Sequence, residues 1–322
     1  MKIIVMRVLD ALMALLTPLV AVVAALQARA GGERLPLTFK VWDLVGVTPT
    51  RHHYYQPVYN GKKLLQSIWE RKDPLHSIHW NAQEQLSLLK SFNFQHELES
   101  IPISEASSLS GEFYHNQSFG PADAEMLYNI VRHFKPQRVI EIGSGYSTRM
   151  MKKALDANRN DGVISKHICI EPFEMPWLEL LGVDQVIRAR VEDVDPGLFE
   201  QLEENDLLFI DSSHVLRTGG DVFVEYLQIL PRLKKGVLVH IHDIFLPYEY
   251  PKEWIVNKRR FWTEQYLLQA FLAFNSAFEI LSAIHWLARE HPEELARACP
   301  VYAQLKRGHG SFWIRRLGSE PR

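Results

Sequence analysis

The stretch Arg138-Val-Ile-Glu-Ile-Gly-Ser-Gly-Tyr-Ser-Thr148 reads as a short apolar strand that breaks into a glycine-rich turn and continues into a helix. Gly143 and Gly145 permit tight turning and close backbone approach to a ligand, and the helix that follows offers free N–H groups and the positive end of its dipole. In the dinucleotide fingerprint G-x-G-x-x-G the third glycine would stand at Thr148, so a nicotinamide cofactor is disfavoured. On the amino side, Ala124, Leu127, Tyr128 and Val131 recur at helical spacing and predict a helix from Pro121 to Phe134, which Pro136 ends. On the carboxyl side, strands expected at 167–171, 185–189, 206–211 and 236–242 alternate with helices near 147–157, 177–181 and 221–230. A long helix over 258–274 and two last strands at 277–282 and 311–315 complete the pattern.

This alternation predicts an α/β fold: a doubly wound, mostly parallel, seven-stranded Rossmann-like sheet with helices on both faces and an N-terminal helical or irregular extension. Ligands of such sheets sit beyond the carboxyl ends of the strands, near the topological switch point. The 322 residues include 36 Lys and Arg against 38 Asp and Glu, a net charge of −2, so no overall field favours nucleic acid as a partner. The two cysteines, Cys169 and Cys299, lack metal-ligand spacing and fit a reduced, intracellular protein.

Three parts are expected along the chain. Residues 1–30 hold an uncharged run from Ala11 to Gln27, broken by Pro18, with Ala28-Arg29-Ala30 resembling a signal-peptidase site. A cleaved signal, a membrane or interfacial helix, and a helix packed on the protein all fit this run. The favoured reading is a membrane-associated helix, because the run approaches spanning length and Arg34 and Lys40 follow it. Residues 31–115, rich in His and aromatic patches such as Arg51-His-His-Tyr-Tyr55 and Phe113-Tyr-His-Asn116, are read as an acceptor or cap region. Within them a helix is expected from Asn81 to Phe92, with Asn81 as N-cap. Residues 116–322 are expected to form the α/β domain.

Around the turn the carboxylates fall at the strand ends. Glu141 precedes Gly143 by two residues, Glu171 ends the second strand where a carboxylate can accept both ribose hydroxyls, and Glu192 and Asp193 follow the third. With Ile170-Glu-Pro172 and Phe209-Ile-Asp-Ser-Ser-His214, the pattern resembles the class I S-adenosylmethionine-dependent methyltransferases, and more narrowly methyltransferase family 24, over about residues 116 to 315. The resemblance implies S-adenosylmethionine over the first three strands. Glu141 and Gly143 would then meet the methionine part, with Ser144, Gly145 and Ser147 completing the turn. Glu171 would hold the ribose, and Glu192 or Asp193 the adenine. Ser118, Phe119 and Asp123 would close over the methionine end.

The fourth and fifth strands end in Asp211-Ser-Ser-His214 and His240-Ile-His242-Asp243. Adjacent parallel strands bring such ends together, so Asp211 and Asp243 can share a hard divalent cation, with His242 beside them. A histidine three residues past Asp211 is placed to remove a hydroxyl proton. This set is similar to that of metal-dependent sugar O-methyltransferases. The resemblance implies Asp211, His242 and Asp243 around a metal, and His214 as general base aided by Asp211 and Asp243. Many relatives carry an acid where His242 stands; the imidazole lowers the negative charge and leaves Mg²⁺, Mn²⁺, Fe²⁺ or no metal open.

The aromatic segment 244–254, with Tyr248, Tyr250 and Trp254, is expected to border an acceptor site. The expected activity is O-methylation of a hydroxylated small molecule, glycan or lipid-linked sugar by a cytoplasmic enzyme held at the inner face of the membrane. The alternatives are a metal-free methyltransferase for a soluble metabolite and a non-catalytic nucleotide-binding protein of the same fold.

Overall fold

The computed structural model describes residues 2–104, 114, 116, 118–173 and 175–318. Phe113 and His115 of the expected aromatic patch lie outside the described residues. The helices in chain order are α1 (Lys2–Ala30), α2 (Pro36–Leu44), α3 (Ser67–Glu70), α4 (Ala82–Ser91), α5 (Gln95–Glu99), α6 (Pro121–Phe134), α7 (Tyr146–Asn160), α8 (Asp221–Val224), α9 (Lys252–Val256), α10 (Glu264–Leu272), α11 (Ile284–Glu290), α12 (Pro292–Ala298) and α13 (Pro300–Leu305). The strands are β1 (Arg138–Ile142), β2 (Lys166–Ile170), β3 (Gln185–Ile187), β4 (Leu207–Ile210), β5 (Leu238–Ile241), β6 (Phe278–Ala283) and β7 (Phe312–Arg316).

They form one seven-stranded sheet in the order β3-β2-β1-β4-β5-β7-β6. β1 to β5 are parallel, and β7 enters antiparallel between β5 and β6. The expected fold is the observed one. Val139, Ile140 and Ile142 of β1 and all of Leu207–Ile210 are buried, the continuous apolar signature of strands covered on both faces. The order reverses between β1 and β4, so the carboxyl ends of these two strands border the crevice in which such sheets bind ligands.

Several local expectations shift. Lys258 to Thr263 do not join the helix expected over 258–274; Arg259 has a positive φ and α10 begins at Glu264. Asn81 makes no side-chain cap. Its own φ is 52°, and its amide instead donates to the Ile280 carbonyl of β6 at 3.2 Å. The helix expected over 221–230 is α8 followed by a π-helical turn at Glu225–Ile229. Between β6 and β7, α11, α12 and α13 fill a segment whose sequence carries no long apolar period.

The chain divides into two compact units. One comprises residues 1–66 together with 252–261; the other comprises 67–251 and 262–322 and contains the whole sheet. In the first unit the Ile4–Ala30 stretch of α1 is largely exposed and is long and apolar enough to cross a membrane. Trp42 Nε1 donates to Gln27 Oε1 at 2.9 Å, tying α2 to α1. Tyr59 and Phe261 meet edge to face, and Lys252 Nζ donates to Gln66 Oε1 at 2.8 Å, so the 252–261 segment is stitched to the chain before residue 67. In the second unit Arg132 of α6, buried against Phe94, joins three elements: it donates to both Glu97 carboxylate oxygens, to Asn158 and to Asp161.

Candidate active site

β1 delivers the glycine turn to the sheet's carboxyl edge. Gly143 has φ +79°, and a Cβ there would lie 1.9 Å from the Asp211 carbonyl oxygen, so only glycine lets the turn pass this close to the end of β4. Gly145 is extended, and a Cβ on it would meet Met175 Cε at an ordinary 3.6 Å. The turn is braced from below. Thr148 Oγ1 accepts the Gly145 amide at 2.9 Å and donates to Glu141 Oε2 at 2.7 Å, while Glu141 Oε1 meets His167 Nε2 at 2.7 Å. Thr148, which stands where a dinucleotide site has glycine, is therefore a structural link between turn and strand. Glu141, fully buried, is engaged through both oxygens.

Glu171, just past β2, accepts the Ser144 amide at 3.2 Å on one oxygen and the Phe173 amide at 3.0 Å on the other. The carboxylate is thereby fixed at the turn. Ser144 and Ser147 are buried in the same turn. Glu192 and Asp193 follow β3 in a 3-10 turn; Glu192 faces Arg217 at 3.9 Å, and the exposed Asp193 pairs with Arg190 at 3.0 Å.

At the neighbouring strand ends, two aspartates and two histidines converge. The Asp211 amide bonds the Ile142 carbonyl and the His242 amide bonds Ile210, which aligns the ends of β1, β4 and β5. His214 Nε2 lies 3.4 Å from Asp211 Oδ1 and 3.7 Å from Asp243 Oδ2. His242 Nδ1 lies 3.3 Å from Asp211 Oδ1 and 3.9 Å from Asp243 Oδ1. His214 (φ 60°) and Asp243 (φ 56°) both occupy the left-handed region, where non-glycine residues are strained and which recurs at functional sites.

Each histidine is backed by a buried carboxylate that the sequence reading did not assign to it. Glu264 Oε2 meets His214 Nδ1 at 2.8 Å, and Tyr226 donates its hydroxyl to Glu264 Oε1 at 3.1 Å. Asp123 Oδ2 lies 3.5 Å from His242 Nε2, and its oxygens accept the Gly310 and Ser311 amides. Asp123, expected to close over the methionine part, thus supports His242, and Phe119 packs on the same ring at 5.1 Å. A signal for Glu264 did exist: it shares the helical stripe of Leu267, Leu268 and Phe271, where a carboxylate is out of place unless it is used. Asp123 sits among the buried residues of α6 in the same way.

Burial works against an imidazolium at His214, but hydrogen bonds to Asp211 and Glu264 outweigh it and push its pKa up to about 10. Burial likewise opposes charge on His242, and Asp211 and Asp243 reverse the balance and raise it. Burial favours the neutral form of Asp211 too, yet the two histidines hold its pKa well below the usual carboxylate range. Burial raises Asp243 despite the same histidines. His240 differs: stacked on Phe209 at 4.0 Å and bonded to Ser311, it is a neutral core residue whose pKa burial depresses.

Asp211, His242 and Asp243 are residue types that can hold a divalent cation, with Asp211 Oδ1 and Asp243 Oδ1 at 3.3 and 3.9 Å from His242 Nδ1. Their atoms are spread more widely than those of Glu141, His167 and Cys169, which lie within 4.8 Å of one another. That buried trio is a poor metal site, because burial raises the Cys169 thiol's pKa and Glu141 is already bonded to Thr148 and His167.

Of the aromatic residues expected to meet the acceptor, Tyr250 is core: its hydroxyl accepts the Gln265 amide at 2.9 Å. The Tyr248 hydroxyl bonds Glu290. Trp254 belongs to the other compact unit. Trp262, not singled out for this place, lies over His214 with ring centroids 4.3 Å apart.

A family of methyltransferase domains matches residues 140–244, from β1 through the residue after Asp243. An uncharacterized protein of Archaeoglobus fulgidus is 30% identical over 167 residues, which cover 48% of this chain and 73% of that protein. Among solved structures, the chain is similar to an O-methyltransferase from Bacillus cereus at 14% identity, with 74% of this chain and 98% of that one covered and a TM-score of 0.37. It is similar also to the plantazolicin methyltransferase at 11% identity, with 73% and 96% covered and a TM-score of 0.37. The domain match begins on the strand that carries the glycine turn and ends beside the Asp211, His214 and Asp243 cluster, and the chain belongs to the class I S-adenosylmethionine-dependent methyltransferases.

Proposed function

We propose that this methyltransferase moves the methyl group to an oxygen of a hydroxylated acceptor, with His214 as general base. The observation that carries the reading is the pairing of His214 Nδ1 with Glu264 at 2.8 Å. A ring whose Nδ1–H is committed to a buried carboxylate accepts a proton at Nε2, the atom that faces Asp211 and Asp243, once the imidazolium that these carboxylates favour has lost its own proton, so turnover rises with pH toward about 10.

Glu171 holds the ribose hydroxyls, Gly143, Ser144, Gly145 and Ser147 shape the methionine end together with Glu141 beneath them, and Glu192 and Asp193 border the adenine end. Asp211 and Asp243 position the acceptor hydroxyl beside His214 Nε2. As that oxygen bonds the methyl carbon and the carbon–sulfur bond breaks, the proton passes to Nε2, leaving a methyl ether and S-adenosylhomocysteine. Asp211, His242 and Asp243 would hold a divalent cation of the Mg²⁺ or Mn²⁺ kind. Such a cation would supply positive charge that acidifies a bound hydroxyl.

The first unit supports an acceptor held at a membrane. Within α1, the exposed apolar stretch of 27 residues from Ile4 to Ala30 is about 40 Å long at 1.5 Å per residue, enough to cross a bilayer. It anchors the enzyme at the inner face of the membrane, where a glycan precursor or lipid-linked sugar is the hydroxylated acceptor at hand. The test is the pair His214→Ala and Asp243→Ala. Both abolish methyl transfer while retaining S-adenosylmethionine binding by calorimetry; normal turnover in both would end the assignment.

A further inference from the structure

Charge is distributed unevenly between the two units. Residues 1–66 and 252–261 carry twelve Lys and Arg against four Asp and Glu, whereas the sheet-bearing unit carries twenty-four against thirty-four. A chain that is nearly neutral as a whole therefore contains one strongly cationic body, and that body also bears α1. Two sources feed the charge. Lys62 and Lys63 lie at a 3-10 turn after the exposed Tyr54 and Tyr55. Lys258, Arg259 and Arg260 come from a segment nearly two hundred residues later, which packs back on the first: Ile255 lies against Gly61, where an added Cβ would meet it at 3.2 Å. Arg260 and Lys258 both face the Trp254 ring, at 4.6 and 5.9 Å.

We propose that this unit is a docking module for an anionic phospholipid surface, in which Lys62, Lys63, Lys258, Arg259 and Arg260 engage lipid phosphates while α1 enters the bilayer. The proposal rests on the reading of α1 as a membrane helix and adds a lipid specificity to it. Three features select lipid over nucleic acid as the polyanion. The cationic residues share a compact unit with an exposed helix of spanning length. The carboxyl flank of that helix is basic, with Arg29, Arg34 and Lys40. Exposed tyrosines accompany the lysines, as at membrane–water interfaces.

Both native cysteines are buried, so an Asn257→Cys variant of the full chain takes a single environment-sensitive fluorophore beside the basic cluster. The labelled protein is reconstituted into nanodiscs of phosphatidylcholine alone and of phosphatidylcholine with phosphatidylglycerol. Co-elution with both reports α1. The label should shift to the blue and lose iodide quenching only with phosphatidylglycerol. Both changes should vanish in Lys258→Glu/Arg259→Glu/Arg260→Glu, and in about 0.5 M salt, where the Debye length is only a few ångströms. Co-elution with an identical label signal in both lipids overturns the headgroup proposal and leaves the anchor standing. Failure to co-elute with either overturns both. A label shift produced by RNA but not by phosphatidylglycerol overturns the proposal in favour of a nucleic-acid partner.

Discussion

His214 and Glu264 hold each other twice: the imidazole Nδ1 lies 2.8 Å from Glu264 Oε2, and the His214 carbonyl accepts the Glu264 amide at 3.2 Å. The first bond sets the ring's tautomer and the second caps the helix that carries the carboxylate, so the base and its support move as one piece. Glu264 is fully buried, and Tyr226 occupies its other oxygen. In the absence of His214 the site would hold a buried carboxylate with only a phenol for a partner.

Glu264→Gln keeps the shape and removes the fixed acceptor. Turnover, followed as S-adenosylhomocysteine release, should fall on the order of a hundredfold, with S-adenosylmethionine affinity unchanged. Glu264→Asp should recover part of the loss. A fall in donor affinity matching the fall in turnover would mean that Glu264 only supports the fold.

The two glycines of the turn should respond differently. Gly143→Ala drives a Cβ to 1.9 Å from a backbone oxygen at a positive φ, and should abolish donor binding and lower the melting temperature. Gly145→Ala meets only the end of a methionine side chain at 3.6 Å, and should retain donor affinity to within about tenfold, a cost below about 1.4 kcal/mol. Calorimetric titration of both variants distinguishes a turn that needs glycine at one place from one that needs it at two.

Glu171 and Asp193 make a second contrast. Glu171→Gln should weaken donor binding at least about tenfold, because an amide cannot accept at both oxygens from the Ser144 and Phe173 amides and from the ribose as well. Asp193→Asn, at an exposed pair with Arg190, should change it by less. Equal losses would place the ribose elsewhere.

The turn and the strand-end carboxylates were legible in the sequence because both signals are local: an apolar run, two glycines, and acids at the points where strands stop. Glu264 and Asp123 were not, since they reach their histidines across 50 and 119 positions, and only the sheet order makes those positions neighbours. The break of the 258–274 helix was hidden for a related reason. Its apolar spacing is helical throughout, but Lys258 to Phe261 pack with residues before 67, and Trp262 turns toward His214. Tertiary partners overrode the period.

Arg132 should prove the weightiest charged residue outside the active site. Buried and bonded to Glu97 of α5 and to Asn158 and Asp161 at the end of α7, it takes one hydrogen-bond partner from each of these three groups when removed. Arg132→Met should lower unfolding free energy by about 3 kcal/mol in denaturant titration, with donor affinity of the folded fraction retained. A loss under about 1 kcal/mol would class the network with ordinary surface pairs.

Chelator treatment bears on the cation. Manganese should bind the chelator-stripped protein with a heat that Asp243→Asn removes, and calorimetry reads this without any acceptor. A heat unchanged in Asp243→Asn would move the ion away from the strand ends.

The most direct measurement compares mass spectra of membrane glycans and lipids from cells carrying the natural chain and cells carrying His214→Ala, the variant having first been shown to bind S-adenosylmethionine. The account predicts a hydroxylated species one CH₂ heavier in the first cells and only its unmethylated form in the second. The same methylated species at the same level in both would contradict it.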